Sequence, residues 1–440
     1  MKKQAKKFAN VLKSNLFALI GRMAKSPEPY VKNPGKDFTR NRKLPFETVV
    51  SLLIHMGGAS IRKELMDATE CDIETATTSA FVQARDKLKH EAFEFILGEM
   101  NESLPNPQTY CGYRLFAVDG SDLHIAADPE DADTYFQNNE GEKGYSLLHL
   151  NALYDLENRI YVDALVQKRR NSNESKALCD MVDRSAIKDP VIVVGDRAFE
   201  SYNNFAHIEQ KGWNYVIRVK DMASTGMCAG LKLPDTEEFD VQIERILTRK
   251  QTKEVKANRQ LYKFLPSNSN FDFMDKTNPF YAMSFRVTRI KLENNSYETL
   301  ITNLDKSSFT ADALKEIYTK RWGIETSFRK LKHTVGLENF HAKKREYIIQ
   351  EIFSRMIMYN FTEMVTSHVI ISQKRRKHRY IANFTMAVYY CKKLLRQAAD
   401  ALPLMVEALI AKDILPIREG KHNPRKIRPK QAVWFSYRVA

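Results

Sequence analysis

A chain of 440 residues with 43% hydrophobic side chains can bury two or three cores, which excludes intrinsic disorder as its default state. Its 69 Lys and Arg against 54 Asp and Glu give a formal net charge of +15, so a polyanionic partner is expected. Nucleic acid leads, because Lys and Arg that neutralise phosphates release counterions; an anionic membrane surface is the weaker candidate.

No apolar run approaches the roughly 20 residues that span a bilayer, so a cytoplasmic, nucleoid-associated protein is expected. Five cysteines (Cys71, Cys111, Cys179, Cys228, Cys391) are scattered without a CxxC pair, which predicts buried free thiols and no zinc site. The ten histidines form no HxxxH pair with an accompanying acid.

Residues 1–45 carry nine Lys and three Arg against Glu28 and Asp37, a local charge of +10. Lys13 and Asn15 interrupt the first apolar patch, so it reads as an amphipathic basic helix and not as a signal peptide. Such an arm either solubilises the chain or contacts DNA. Pro27, Pro29 and Pro34 with Gly35 break this helix. From Pro45 to Asn101 the pattern is helical, in pieces joined by Gly57, Gly58 and a turn at Cys71 to Asp72. A helix-turn-helix for DNA and plain packing explain these pieces equally well. Leu104, Pro105, Asn106 and Pro107 form a linker.

Tyr113 to Ile125 (YRLFAVDGSDLHI) is aromatic and β-branched enough for a strand, with Asp119 near its middle. Leu147 to Tyr154 and Ile160 to Gln167 flank the turn-rich DLEN and read as a hairpin. A helix over Glu174 to Arg184 leads to the apolar strand PVIVVG, which ends on Asp196. A helix over Tyr202 to Lys211 and a strand over Trp213 to Lys220 complete a β-β-β-α-β-α-β order. From Asp221 to about Tyr297 the segments VQIERIL, LYKFL, FYAMSFRVTRI and YETLITNL suit an antiparallel β insertion.

Ala311 to His333 (ADALKEIYTKRWGIETSFRKLKH) is predicted as one helix. At about 100° per residue, Tyr318, Arg321, Glu325 and Lys332 share an arc of roughly 60°. Ile317, Ile324, Phe328 and Leu331 form an adjoining apolar stripe. Taken alone, such a face is most simply a solvated ion-pair pattern. Long helical patterns return after Glu346, with a basic KRRKHR patch at Lys374 to Arg379. The last 23 residues hold seven bases against one acid, with Trp434, Phe435 and Tyr437 interleaved, and read as a contact arm.

Asp119 lies in an apolar strand, where an ionised group is costly unless paired or metal-bound. Asp196 ends a second apolar strand, where sites assemble in α/β sheets, although an Asp there is often only a helix N-cap. Two strand acids and one helix acid are the oxygen ligands that Mg²⁺ prefers. Two such ions roughly 3.5 to 4 Å apart activate the attacking oxygen and stabilise the leaving one in phosphodiester chemistry. A basic chain carrying such a site is a candidate nuclease or strand-transferase.

The spacing Tyr318, two residues, Arg321, three residues, Glu325, six residues, Lys332 resembles the YREK signature of bacterial insertion-sequence DDE transposases, of the insertion-sequence-four-like group. VDGSDL around Asp119 and GDRAFES around Asp196 resemble that family's two aspartate blocks, and the likeness spans most of residues 45–350. The resemblance implies an α/β fold, α+β overall: a ribonuclease-H-like mixed-sheet core interrupted by an antiparallel β insertion and flanked by helical domains. The expected segments are a basic helical DNA-binding domain over 1–107, the core over 108–220, the insertion over 221–300, the rest of the core over 301–345, and a helical region with basic tail over 346–440.

By the same resemblance, Asp119, Asp196 and Glu325 would bind two Mg²⁺ or Mn²⁺ ions and carry catalysis. Tyr318, Arg321 and Lys332 would contact phosphates of double-stranded DNA. The implied reaction cleaves inverted-repeat ends and joins their 3′-OH groups to target DNA, with two ends synapsed by at least a dimer. One departure concerns the hairpin intermediate of some relatives, in which a Trp in the last insertion strand stacks a flipped base. YETLITNL has no Trp; Trp322, beside Arg321, is left either to stack on DNA or to pack. A metal nuclease without strand transfer, or an inactive DNA-binding protein on the same fold, are the competing readings.

Overall fold

The computed structural model describes residues 8–417 apart from 41, 140, 222–225, 294, 375–377, 398–400 and 403. The basic tail with Trp434, Phe435 and Tyr437, and the middle of the KRRKHR patch, therefore lie outside the described residues.

Five helices come first: α1 (Phe8–Lys25), α2 (Phe46–His55), α3 (Ile61–Ala68), α4 (Thr78–Arg85) and α5 (Glu91–Glu102). Ser60 and Thr77 cap α3 and α4 by accepting from Lys63 N at 3.5 Å and Ala80 N at 3.2 Å. Then follow β1 (Arg114–Ile125), β2 (Tyr135–Phe136), β3 (Tyr145–Asp155), β4 (Ile160–Lys168), α6 (Glu174–Arg184), β5 (Val191–Gly195), α7 (Tyr202–Gln210) and β6 (Asn214–Val219). The next stretch holds β7 (Phe239–Thr248), α8 (Lys253–Ala257), β8 (Tyr262–Phe264), β9 (Phe280–Lys291) and β10 (Tyr297–Thr302). The chain continues through α9 (Ala311–Lys320), α10 (Trp322–Arg329), α11 (Arg345–Ser367), β11 (Tyr380–Ala382), α12 (Phe384–Arg396), α13 (Val406–Lys412) and β12 (Ile414–Pro416).

The result is a mixed α/β molecule around one large sheet, in the order β2-β3-β1-β5-β6-β10-β9-β7-β8, with β4 also on β3. β3 is antiparallel to both β1 and β4; β1, β5 and β6 run parallel. The strands after Asp221 do not form a sheet of their own. They extend this one, because β10 pairs antiparallel with β6 and β9 pairs antiparallel with both β10 and β7. The short α8, absent from the sequence expectation, exists because Thr252 accepts from Val255 N at 3.3 Å.

The two-residue period of the strands divides the core between the two faces of the sheet. On β1, Phe116 and Val118 pack with α6 and α7 residues such as Met181 and Phe205. Leu115 faces α9 through Leu314 and Ile317, while Ala117 and Leu123 join the helical core. That core is built around α11, which is buried along nearly its whole length and carries buried polar residues such as Gln350, Arg355 and Asn360 among its apolar ones. Leu12 and Leu16 of α1, Val49 of α2, Phe93 of α5, and Leu394 of α12 share it with Ile352 and Met356. The N- and C-terminal helical segments thus have one core in common.

Cys179, Cys228 and Cys391 are buried free thiols as expected, but Cys71 and Cys111 are exposed. Both sit at turns with left-handed backbone, φ 64° and 49°, where the chain reverses at the surface.

Charges are buried where α4 meets α11. Arg85 donates from Nη1 to Glu351 Oε1 at 3.0 Å, from Nε to Gln350 Oε1 at 3.2 Å and from Nη2 to the Tyr347 carbonyl at 2.9 Å. Burial alone would raise the Glu351 carboxyl; the His341 hydrogen bond and Arg85 outweigh it and hold the group well below the usual range. Breaking a buried pair strands its partner. Arg85→Met is expected to cost about 3–5 kcal/mol in urea unfolding; a loss below about 1 kcal/mol would show that Glu351 finds other partners.

Candidate active site

β1 and β5 are parallel neighbours with Ala117 opposite Val194. Asp119, two residues further on, therefore stands level with Asp196, the first residue after β5. The junction is tight: a Cβ on Gly195 would meet Ile217 Cδ1 at 2.9 Å and Val118 Cγ1 at 3.1 Å. Asp196 does cap, its Oδ1 accepting from Ala198 N at 2.8 Å at the start of a short 3-10 turn. The cap reading and the site reading thus fall on the same side chain.

The predicted helix over Ala311 to His333 is not continuous. It breaks at Arg321, where Arg321 N–Tyr318 O (3.0 Å) and Ile324 N–Arg321 O (3.1 Å) are both tight three-residue bonds. It ends in a π-helical turn over Lys330–Val335, closed by Gly336 at φ +98°. Close packing and a buried side chain account for the break. Gly323 lies so near the β3–β4 turn that a Cβ would meet Leu156 Cδ2 at 2.8 Å, and Arg321 is turned inward. The expected apolar stripe is otherwise present: Ile317, Ile324, Phe328 and Leu331 are all buried.

α10 packs on β1 and brings Glu325 to the two strand acids. Arg321 bridges them, with Nη2 2.9 Å from Glu325 Oε1 and Nη1 3.9 Å from Asp119 Oδ2. Its guanidinium lies 5.7 Å from the Tyr318 ring centre and 5.2 Å from that of Trp322. Trp322 is 58% exposed, whereas Arg321 and Tyr318 are buried. Lys332 reaches β1 as well, donating from Nζ to the Asp122 carbonyl at 2.8 Å. The Asp119 carboxyl is pushed up to about 6, first by burial and further by Asp196 and Glu325, against the opposing pull of the Gly120 N–H and Arg321.

Asp119, Asp196, Arg321, Glu325 and Lys332 are thus tied to the middle of β1, with the Tyr318 and Trp322 rings beside the Arg321 guanidinium. Among the described residues no three His, Cys, Asp or Glu side chains are drawn close enough to hold an ion. The donor set itself suits a hard cation: three carboxylates on separate elements, one of them with its proton affinity raised by burial and further by the other two.

Sequence reasoning missed the layer beneath. His149 on β3, 4% exposed at its side chain, sits with Nδ1 2.6 Å from Asp122 Oδ1 and Nε2 2.9 Å from Glu174 Oε1. Arg169 Nε adds to Asp122 Oδ1 at 2.8 Å. A Cβ on Gly120 would strike His149 Nε2 at 2.4 Å, so glycine is required beside Asp119. The signal was legible: His149 is a polar interruption in the apolar run YSLLHLNALYD, directly opposite Asp122.

Residues 110–361, more than half of the chain, match the transposase DDE domain. The chain belongs to the DDE transposase family. It is 21% identical over 337 residues to the transposase InsG for insertion sequence element IS4 of Escherichia coli (strain K12), covering 73% of this chain and 70% of that protein. Among solved structures it is similar to the piggyBac transposase synaptic complex with hairpin DNA, with a TM-score of 0.43 and 11% identity over 94% of this chain and 87% of that one.

Membership of the DDE transposase family makes this a DNA-cleaving and strand-transferring type of enzyme, of a class generally dependent on divalent metal. No described helix is long and apolar enough to cross a membrane.

The raised Asp119 has a measurable consequence. Its proton is held more tightly folded than unfolded, so the ionised form weakens the fold as pH rises from about 4 through about 6. Asp119→Asn is expected to stabilise the metal-free chain by roughly 1–3 kcal/mol at pH 8 and by almost nothing at pH 4. Urea unfolding at the two pH values checks this; equal stabilities at pH 8 would place Asp119 in bulk water.

Proposed function

We propose that the protein is a DNA transposase that binds the inverted-repeat ends of its insertion sequence, cleaves them with two metal ions and joins the 3′-OH ends to target DNA. The observation that carries this reading is that Asp119, level with Asp196, feels the carboxylates of both Asp196 and Glu325, with Arg321 between Asp119 and Glu325. Asp119, Asp196 and Glu325 would hold two Mg²⁺ or Mn²⁺ ions. Bound there, the ions would supply an activated attacking oxygen and a stabilised leaving oxygen.

The other residues act on the DNA. Arg321, released from Glu325 when the carboxylates turn to cations, would present its planar fork to a phosphate. Lys332, anchored on β1, would add a point charge beside it, and the Tyr318 hydroxyl would complete the contact at the cut end. Trp322 is exposed next to Arg321, in a position to stack on a base. A hairpin route through base flipping would draw on Trp322, since β10 offers no Trp.

The strand order supports a ribonuclease-H-like core: three antiparallel strands, β4, β3 and β1, continued by parallel β5 and β6. On that reading the segments 1–107, 108–220, 221–300, 301–345 and 346–440 keep the roles of DNA-binding helices, core, β insertion, core and helical tail. Synapsis of two ends calls for a homodimer on DNA.

Purified protein given Mg²⁺ and a duplex carrying an end of its own element is expected to nick that end and join it to a target plasmid. Glu325→Gln should slow nicking by at least on the order of 100-fold while retaining end binding. Nicking by Glu325→Gln at the wild-type rate would overturn the assignment; nicking without joining would leave a nuclease.

A further inference from the structure

At the far edge of the sheet, between β7, β8 and α8, lies a hollow of about 360 Å³ that the proposed chemistry does not use. Four cations line it, Arg245, Lys256, Arg259 and Lys263, with the rings of Tyr262 and Phe264. Among the described residues no Asp or Glu lines it. The acid on α8, Glu254, accepts from the Tyr262 hydroxyl at 3.0 Å.

These cations are poorly compensated. Arg245 is buried and donates from Nη1 to the carbonyls of Arg259 and Gln260, both at 2.8 Å. Among the described residues its Nε has no acceptor, and two carbonyls leave a guanidinium charge unneutralised. Lys263 stands against it, and among the described residues no carboxylate forms an ion pair with it. Its ammonium is pulled below the ordinary lysine value by burial and then by Arg245. A fold that keeps two such groups together destabilises itself unless an anion enters.

The hollow is not isolated from the acids. Lys263 also lines a second concavity of about 280 Å³, with Arg197, Lys220 and Tyr202. Arg197 is the residue after Asp196. The one acid there, Glu200, has its carboxylate taken by the backbone N–H groups of Lys220 and Met227. Cations thus run from beside Asp196 to the sheet edge.

We propose that this edge hollow is a second phosphate site, which grips the backbone of the DNA duplex away from the strand held at the acids. The inference rests on the proposed function for the identity of the DNA. Cations spread over two connected concavities match phosphates spaced along a strand, whereas a compact nucleotide would need them in one. Duplex backbone contacts of this kind add affinity and register without reading sequence.

The test is equilibrium binding of the full chain, without metal, to a duplex carrying the element end, over a series of salt concentrations. The double variant Lys256→Gln with Arg259→Gln removes two exposed side chains and keeps the backbone carbonyl that Arg245 uses. It is expected to weaken binding and to reduce the slope of log K against log salt by about 1.8, or about 0.9 for each lost phosphate contact. Lys263→Met is expected to weaken binding while raising the melting temperature of the DNA-free chain, since its repulsion with Arg245 is gone.

An unchanged slope in the double variant would overturn the inference. So would a double variant that loses binding of inorganic phosphate alone but keeps the wild-type affinity for the duplex, which would make the hollow a small-anion site. Failure of the acid-site reading shows separately, as nicking by Glu325→Gln, because the binding experiment involves no cutting.

Discussion

The arrangement depends on Arg321. Three carboxylates brought to one sheet end repel one another, and in a partly buried site that repulsion is screened far less than in water. The guanidinium of Arg321, 2.9 Å from Glu325 and 3.9 Å from Asp119, relieves it. A lysine would fit less well, because its ammonium is a compact, strongly hydrated point charge, whereas the planar fork presents separate nitrogens to the two acids. The break in the helix at Arg321 is part of the same solution. At this turn Arg321 is buried while its neighbour Trp322 stays exposed. Arg321 Nε is left without a partner, so the bridge is held by charge and by the two flanking rings more than by complete hydrogen bonding.

Beneath this bridge, β1 changes character. Leu115 to Val118 are buried and apolar; from Asp119 onward its residues are mostly half-buried and polar. That change is sustained by His149, packed between Asp122 and Glu174 with Arg169 outside. Burial would discharge the imidazole, but hydrogen bonds to the two acids outweigh it and raise its proton affinity. His149, held between two carboxylates, lies close against Gly120, the residue after Asp119. The Asp122 carbonyl in turn holds Lys332 at 2.8 Å. The acid cluster and the lysine of the helix are therefore tied to the same short piece of strand.

Much of this was legible because it follows from local pattern. The hairpin of β3 and β4, the helix over Glu174–Arg184 and the strand ending before Asp196 come from two-residue and 3.6-residue periods, which neighbours do not override. The sequence showed Asp119 inside one apolar strand and Asp196 at the end of another; the register that levels them is a long-range pairing that no local pattern reveals. The kink at Arg321 was not legible: Gly323 has ordinary helical spacing, and nothing local shows that Leu156 presses on it. His149 was passed over for a similar reason. A search for metal-ligand spacing discards a lone histidine, whereas its partners Asp122 and Glu174 are 27 and 25 residues away.

The strands beyond β6 have a mechanical role that sequence order hides. Arg286 on β9 donates from Nη2 to Asp240 Oδ2 on β7 at 2.7 Å, and from Nη1 to the carbonyls of Leu304 and Phe309 at 2.9 and 3.0 Å. Those carbonyls belong to the loop that leads into α9, and α9 packs on β5, β6 and β9. The helix pair that delivers Arg321 and Glu325 is thus clamped from the added strands as well as from the older part of the sheet. Because β10 joins both parts into one hydrogen-bonded surface, a shift of β9 would move the loop at Leu304 and with it α9. Loosening Arg286 would therefore reach Glu325 through backbone, with no change in any residue that touches the acids.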